Sequence, residues 1–252
     1  MPGVMPAIFV PDGTLEERFR TAVADYGMLS PGDRVLVAVS GGKDSYTLAD
    51  LLGRFRQELF PDVHFTTVRI LTDITCSGSI HADDLHHLAA RHGMPEESVF
   101  FPISQEAKEG VDCFYCALRR RTALIKLAHE KDFNVIAFGH HLDDIAETLL
   151  MNMIHHGNIS TMPPVVNLFD GRIRIIRPLT YIYEHECAAY ANALVHIPGG
   201  CHCPGKNATV RAETKALLVE LEAYYPGARD NLLRVMRGLR TAATETPALD
   251  GT

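Results

Sequence analysis

The stretch Arg34-Val35-Leu36-Val37-Ala38-Val39, running straight into Ser40-Gly41-Gly42-Lys43-Asp44-Ser45, decides the fold. A short apolar, β-branched run bounded by turn residues is the pattern of a strand buried on both faces of a parallel sheet. Pro31-Gly32-Asp33 makes a turn before it, and a helical pattern follows from Tyr46 to about Leu59. A strand that ends in two glycines and opens a helix brings free backbone N–H groups and a positive dipole end to one point, where an oxyanion binds. Lys43 adds a point charge there, and the Ser40 and Ser45 hydroxyls can donate to phosphate oxygens. The motif is not a Walker A loop, which needs a glycine five residues before its Gly-Lys pair; Val37 holds that place.

Outward from this loop the alternation repeats. Strands are expected over 63–71, 99–103, 134–138 and 172–177, and helices over 81–92, 117–131 and 143–156. Upstream, Thr14 as N-cap with Glu17 three residues on and Gly27 at the end marks a helix. After Pro178 the chain turns helical over 183–194, 209–225 and 230–239. The expectation is an α/β fold: an open, mostly parallel sheet with helices on both faces and helical additions at the N- and C-termini. The expected division is an N-terminal extension (1–30), a nucleotide-binding domain that also carries a cluster-binding segment (31–180), and a helical region with further cysteine ligands (181–252).

Gly139-His140-His141-Leu142-Asp143-Asp144 follows another strand. Ligands of open parallel sheets sit outside the carboxyl ends of the strands, so this loop and loop 40–45 should emerge on one edge. Gly139 is expected to allow a close approach to the nucleotide, and His140 to hydrogen-bond it. Asp143 and Asp144 also begin a helix, so capping is an alternative for one of them.

Here a family likeness becomes specific. Residues 40–45 resemble the PP-loop of ATP pyrophosphatases. Residues 139–153 (GHHLDDIAETLLMNM), Cys113-Phe114-Tyr115-Cys116-Ala117-Leu118-Arg119-Arg120, Met162-Pro163-Pro164 and Ile176-Arg177-Pro178-Leu179 resemble the tRNA 2-thiocytidine synthetases in the same order, over about residues 14–240. The resemblance implies a PP-loop adenine-nucleotide fold with ATP bound by Ser40, Gly41, Gly42, Lys43, Asp44, Ser45, Gly139, His140 and Asp144. It makes Lys43, Asp44 and Asp143 the catalytic set, with Mg²⁺ held near Asp44, since magnesium takes one or two carboxylates plus phosphate oxygens.

Six cysteines in a chain without an apparent export signal point to a reducing, cytoplasmic setting, where thiols bind metals more often than they pair. Cys113 and Cys116 form a C-x-x-C, and Cys201 and Cys203 a C-x-C among glycines. Two such pairs, read as thiolates on short loops, signal a metal without naming it; four thiolates would close a zinc site, and a dithiol redox pair is a further reading. The resemblance implies a 4Fe-4S cluster on three cysteines: Cys113, Cys116 and a third, Cys203, with Cys201 as the alternative. The family pattern at this third position is C-x-x-C, from which this chain departs. Cys187, inside an expected helix, reads as a buried hydrophobe, and Cys76 as mainly structural.

Net charge is −7, which does not advertise a nucleic-acid binder. Local charge differs: Arg119, Arg120, Arg121, Lys126 and Lys131 face a single acid, Glu130, between 114 and 131. Between 206 and 240 stand seven bases and four acids, with Arg229, Arg234, Arg237 and Arg240 at helical spacing. Such patches, rather than totals, set the field at a binding face, although solvated helix faces look the same. No run reaches the length of a membrane span. The implied activity is an ATP-dependent tRNA thiolase acting on the C2 carbonyl of a cytidine. Its partners would be tRNA and a sulfur donor such as a cysteine desulfurase persulfide or hydrosulfide, with no membrane, and the sequence leaves room for a homodimer. The rival readings are a 2-thiouridine synthetase, a zinc-containing PP-loop enzyme using an amine, and a non-catalytic zinc-stabilised RNA-binding protein.

Overall fold

In the computed structural model, which describes residues 11–73, 82–103, 113–195 and 210–234, the deciding stretch forms strand β1 (Arg34–Ala38) and then helix α2 (Lys43–Leu59). Val35, Leu36 and Val37 are wholly buried, as a strand covered on both faces requires. The preceding helix α1 (Leu15–Asp25) carries the expected capping box, Thr14 accepting from the Glu17 backbone and Glu17 accepting from that of Thr14. The chain continues through β2 (His64–Leu71), α3 (Ala82–Arg91), β3 (Glu96–Phe100), α4 (Cys113–Glu130), β4 (Val135–Ala137), α5 (Leu142–His156), β5 (Val165–Leu168), β6 (Ile173–Ile176), α6 (Glu184–Leu194) and α7 (Val210–Tyr224). Residues 228–234 are helical as well.

The sheet has six strands in the order β3-β2-β1-β4-β6-β5. Every pairing is parallel except the last, where β5 runs against β6. In register, Val37 sits beside Ala137, and Ala137 beside Ile176. Strands β1, β4 and β6 therefore end side by side. Alternation along β1 splits the core. Val35 and Val37 pack with α1, α2, α3 and α6 on one face; Leu36 packs with Leu124, Leu127 and Ala128 of α4 on the other. A third cluster joins α5 to Leu218 of α7 and Ala22 of α1.

Two elements differ from expectation. The edge strand β5 lacks a legible pattern: Val165 and Val166 are only half buried and Asn167 is exposed. Its hairpin turn is made by Phe169 and Asp170, both at positive φ, with Gly171. β3 spans 96–100 rather than 99–103, because Thr67 and Leu71 of β2 pair with Glu96 and Phe100. No described helix is long and apolar enough to cross a membrane.

Candidate active site

The β1–α2 turn is wound on its own serines. Gly41 adopts φ +86°, where a side chain is strained. Ser45 Oγ accepts from the Ser40 N–H at 3.2 Å and donates to the Gly42 carbonyl at 2.9 Å. Gly42 is the N-cap of α2 and contributes no side-chain cap, so the helix start keeps backbone donors for a ligand. Helix α2 thus begins at Lys43, placing Lys43, Asp44 and Ser45 in its first turn.

Gly139 follows β4 and is forced by protein packing. A Cβ there would lie 2.9 Å from the Asp44 carbonyl oxygen and 3.0 Å from Ser45 N. The residue expected to let a nucleotide approach is required, in addition, by the first turn of α2. His141, assigned no role from sequence, is the N-cap of α5: its Nδ1 accepts from the Asp144 N–H at 3.3 Å, and Asp144 accepts from the His141 N–H at 3.0 Å. Asp144 is therefore half of a capping box. Asp143 is not a cap of α5; it accepts from the Glu184 N–H at 2.6 Å, at the start of α6, and pairs with Arg229 at 2.8 Å.

Charge runs across the site in a chain. Lys43 Nζ lies 3.0 Å from Asp44 and 3.1 Å from Glu184. Glu184 meets Lys215 of α7 at 2.5 Å. Arg211 of α7 reaches Asp144 at 2.5 Å and Glu147 at 3.3 Å. Burial works against the Lys43 ammonium, but Asp44 and Glu184 outweigh it and leave its pKa raised. Burial also works against the Glu184 carboxylate, yet Lys215 and Lys43 hold that group down to about 2. Burial raises Glu147 despite Arg211 and Lys215. His140 is driven down to about 4, by burial first and the charge of Arg177 second, so its ring is neutral near pH 7. Its Nδ1 is buried without a hydrogen-bond partner, and so is Asp44 Oδ1. These two polar atoms, at the ends of β1 and β4, have hydrogen-bonding capacity to give to a ligand. They suit a nucleotide with its cation.

Cys113 and Cys116 lie in the first turn of α4, which corrects the short-loop expectation. Cys116 is a free thiol, half buried. The start of α4 sits at the carboxyl ends of β2 and β3: Arg120 Nη2 is 3.4 Å from Thr72, just past β2, and Arg119 lies 5.2 Å above the ring of Phe101, just past β3. Because these strands are parallel to β1 and β4, the cysteine helix opens on the same edge as the 40–45 turn. Among the described residues no three histidine, cysteine or acidic side chains are arranged to hold a metal. A cluster therefore needs a donor from elsewhere; Cys201 and Cys203 lie outside the described residues, as do Cys76, Arg237 and Arg240. Cys187 is fully buried in α6, and burial pushes its thiol pKa up.

The sequence offered no local signal for Glu184, Lys215 or Arg211, whose partners stand far along the chain; Lys43 and Glu184 are 141 residues apart. Arg229, read as part of a basic face or else as solvated, pairs with Asp143.

The PP-loop domain family matches residues 11–195. A tRNA-cytidine(32) 2-sulfurtransferase of Anaeromyxobacter dehalogenans is 36% identical over 220 residues, covering 85% of this chain and 75% of that protein. The chain belongs to this sulfurtransferase family. A second member, from Stenotrophomonas maltophilia, is 34% identical over 233 residues, covering 90% of this chain and 78% of its own length. Among solved structures, the U34-tRNA thiolase NcsA from Methanococcus maripaludis with its [4Fe-4S] cluster superposes with a TM-score of 0.70 at 22% identity, over 94% of this chain and 85% of that one. That likeness is one of fold. The sulfurtransferase family thus accounts for the PP-loop domain, while α7 and Arg229, beyond residue 195, bring cations to its acids.

Proposed function

We propose that this enzyme thiolates a cytidine of tRNA at C2. The observation that supports this best is the shared edge: the PP-loop turn and the cysteine-bearing start of α4 both open at the carboxyl ends of the strands. ATP would activate the C2 oxygen as an adenylate, with pyrophosphate leaving; sulfur at the sulfide level would then add to C2 and AMP would depart with the former C2 oxygen, a persulfide donor reaching that level by taking two electrons from thiols that end as a disulfide. A 4Fe-4S cluster on Cys113, Cys116 and Cys203, or Cys201 in its place, would supply an iron free of protein ligands at which sulfur is held.

The chain's own residues orient and neutralise. Backbone N–H groups in the first turn of α2, from Lys43 to Ser45, and the Lys43 ammonium would face the phosphates, and fixed donors of this kind are the main catalytic contribution in such transfers. Glu184 must share Lys43 with the incoming phosphates, and Lys215 keeps the released carboxylate paired. Asp44, whose Oδ1 makes no hydrogen bond and lies 3.8 Å from His141 Nε2, would be the ligand offered to Mg²⁺. Asp143 positions α6 and Arg229, so its catalytic part is indirect. His140, neutral, offers one donor and one acceptor to the nucleotide. A persulfide or hydrosulfide donor in the cytoplasm, tRNA as substrate, and residues 31–180 as the nucleotide domain with the third cysteine supplied from 181–252 complete the reading.

Anaerobic purification followed by iron and sulfide analysis of the wild type and of Cys201→Ala and Cys203→Ala tests it. Iron and sulfide present in the wild type and lost in one variant support the reading; zinc alone removes it. Nucleoside analysis of tRNA from a deletion strain should show loss of 2-thiocytidine; loss of 2-thiouridine would reassign the base.

A further inference from the structure

Arg177 leaves the end of β6 only 3% exposed. Of its five guanidinium donors, one at Nη1 goes to the Pro163 carbonyl, and Nε is buried with no partner. No carboxylate of the described residues forms an ion pair with it. The acid whose field reaches it, Asp144, is already bound to Arg211 and to the His141 backbone. The neighbouring charge is Arg121, exposed on α4 and also without an acidic partner among the described residues. Burial, then the Arg121 charge, lowers the Arg177 pKa to about 10. A buried cation set beside a second cation is costly unless an anion completes it, and guanidinium donors fit phosphate oxygens in pairs.

We propose that Arg177, with Arg121 at its rim, binds one phosphate group, and that the group is a phosphodiester of the RNA next to the base entering the site. This rests on the thiolase reading above. A nucleotide's phosphate has the same chemistry, so the test separates the two sources. Arg177→Gln keeps a donor for Pro163 while removing the charge; Arg121→Gln removes the rim charge. Binding of unmodified tRNA is measured across a salt series, and ATP binding by the same proteins is measured without RNA.

The expected result for Arg177→Gln is tRNA binding roughly ten- to a hundredfold weaker and a slope of log K against log salt reduced by about one, with a smaller effect on ATP. Arg177→Lys should restore the slope without restoring full affinity. The double variant should lose less than the product of the single losses, because both residues serve one phosphate. Weakened ATP binding with an unchanged tRNA slope would keep the phosphate site and overturn its assignment to RNA. Lower thermal stability with both affinities intact would overturn the site and leave Arg177 as an anchor for Pro163. A wild type that binds no tRNA at any salt sinks the thiolase reading, while the ATP arm still decides the phosphate site.

Discussion

The two halves of the ligand edge treat charge in opposite ways. On the PP-loop side every cation has an acid: Lys43 with Asp44 and Glu184, Lys215 with Glu184, Arg211 with Asp144 and Glu147, Arg229 with Asp143. On the α4–β6 side Arg120, Arg121 and Arg177 have no carboxylate among the described residues; Arg120 has a hydroxyl and Arg177 a carbonyl. Paired charges hold a shape in the absence of ligand and must be rearranged when ligand arrives. Unpaired cations sacrifice stability and stand ready for an anion. A net charge of −7 conceals this difference completely.

Removing Lys43 should break the paired half most severely. Lys43→Ala is expected to lower AMP formation by about a hundred- to a thousandfold, the range for losing one fixed donor to developing charge; pyrophosphate release per chain measures it. Arg229→Ala leaves the buried Asp143 carboxylate without its counterion and should cost about 3 kcal/mol in urea unfolding. The Glu184 backbone bond to Asp143 would survive that change. Gly139→Ala, which drives a methyl against the Asp44 carbonyl, should cost about 1–3 kcal/mol and slow ATP turnover at the same time.

Glu184→Gln probes the same half through pH. The folded Glu184 carboxyl is depressed from 4.5 to about 2, so its contribution to stability is fully present above its ordinary value. That contribution is lost as pH falls through about 2. Wild type should therefore exceed the Gln variant in thermal stability at pH 7 and converge with it on acidification toward pH 2; a gap unchanged by pH would remove the ion-pair account. The smallest stability effect belongs to the unpaired half. Arg121→Gln should change unfolding free energy by less than about 0.5 kcal/mol, since nothing acidic in the described structure is lost.

Much of the fold could be read from chain-local pattern. The β1 run, the glycine pair, the Thr14 capping box and the strand–helix alternation each rest on residues within a few positions of one another, and each appears as expected. What escaped reading depends on distance along the chain. β5 is a strand because β6 offers it a ladder, not because Val165-Val166-Asn167-Leu168 alternates. Glu184 and Lys215 join the site through folds of the chain that no local motif records. Gly139 was legible as a glycine that matters, but the atoms it avoids belong to α2, which only the packed structure brings within 2.9 Å. The cysteines were legible as a pair, whereas their seat on a helix start was not.

The tight seating of Gly139 on the Asp44 carbonyl has a mechanical result. The floor of the edge is two turns so close that no side chain fits between them, and α2 is approached as closely lower down, where Gly53 leaves no space beside His92. The opposite wall is built differently: α7 reaches the site's acids through the half-exposed ends of Arg211 and Lys215, while buried Leu218 ties it to α5.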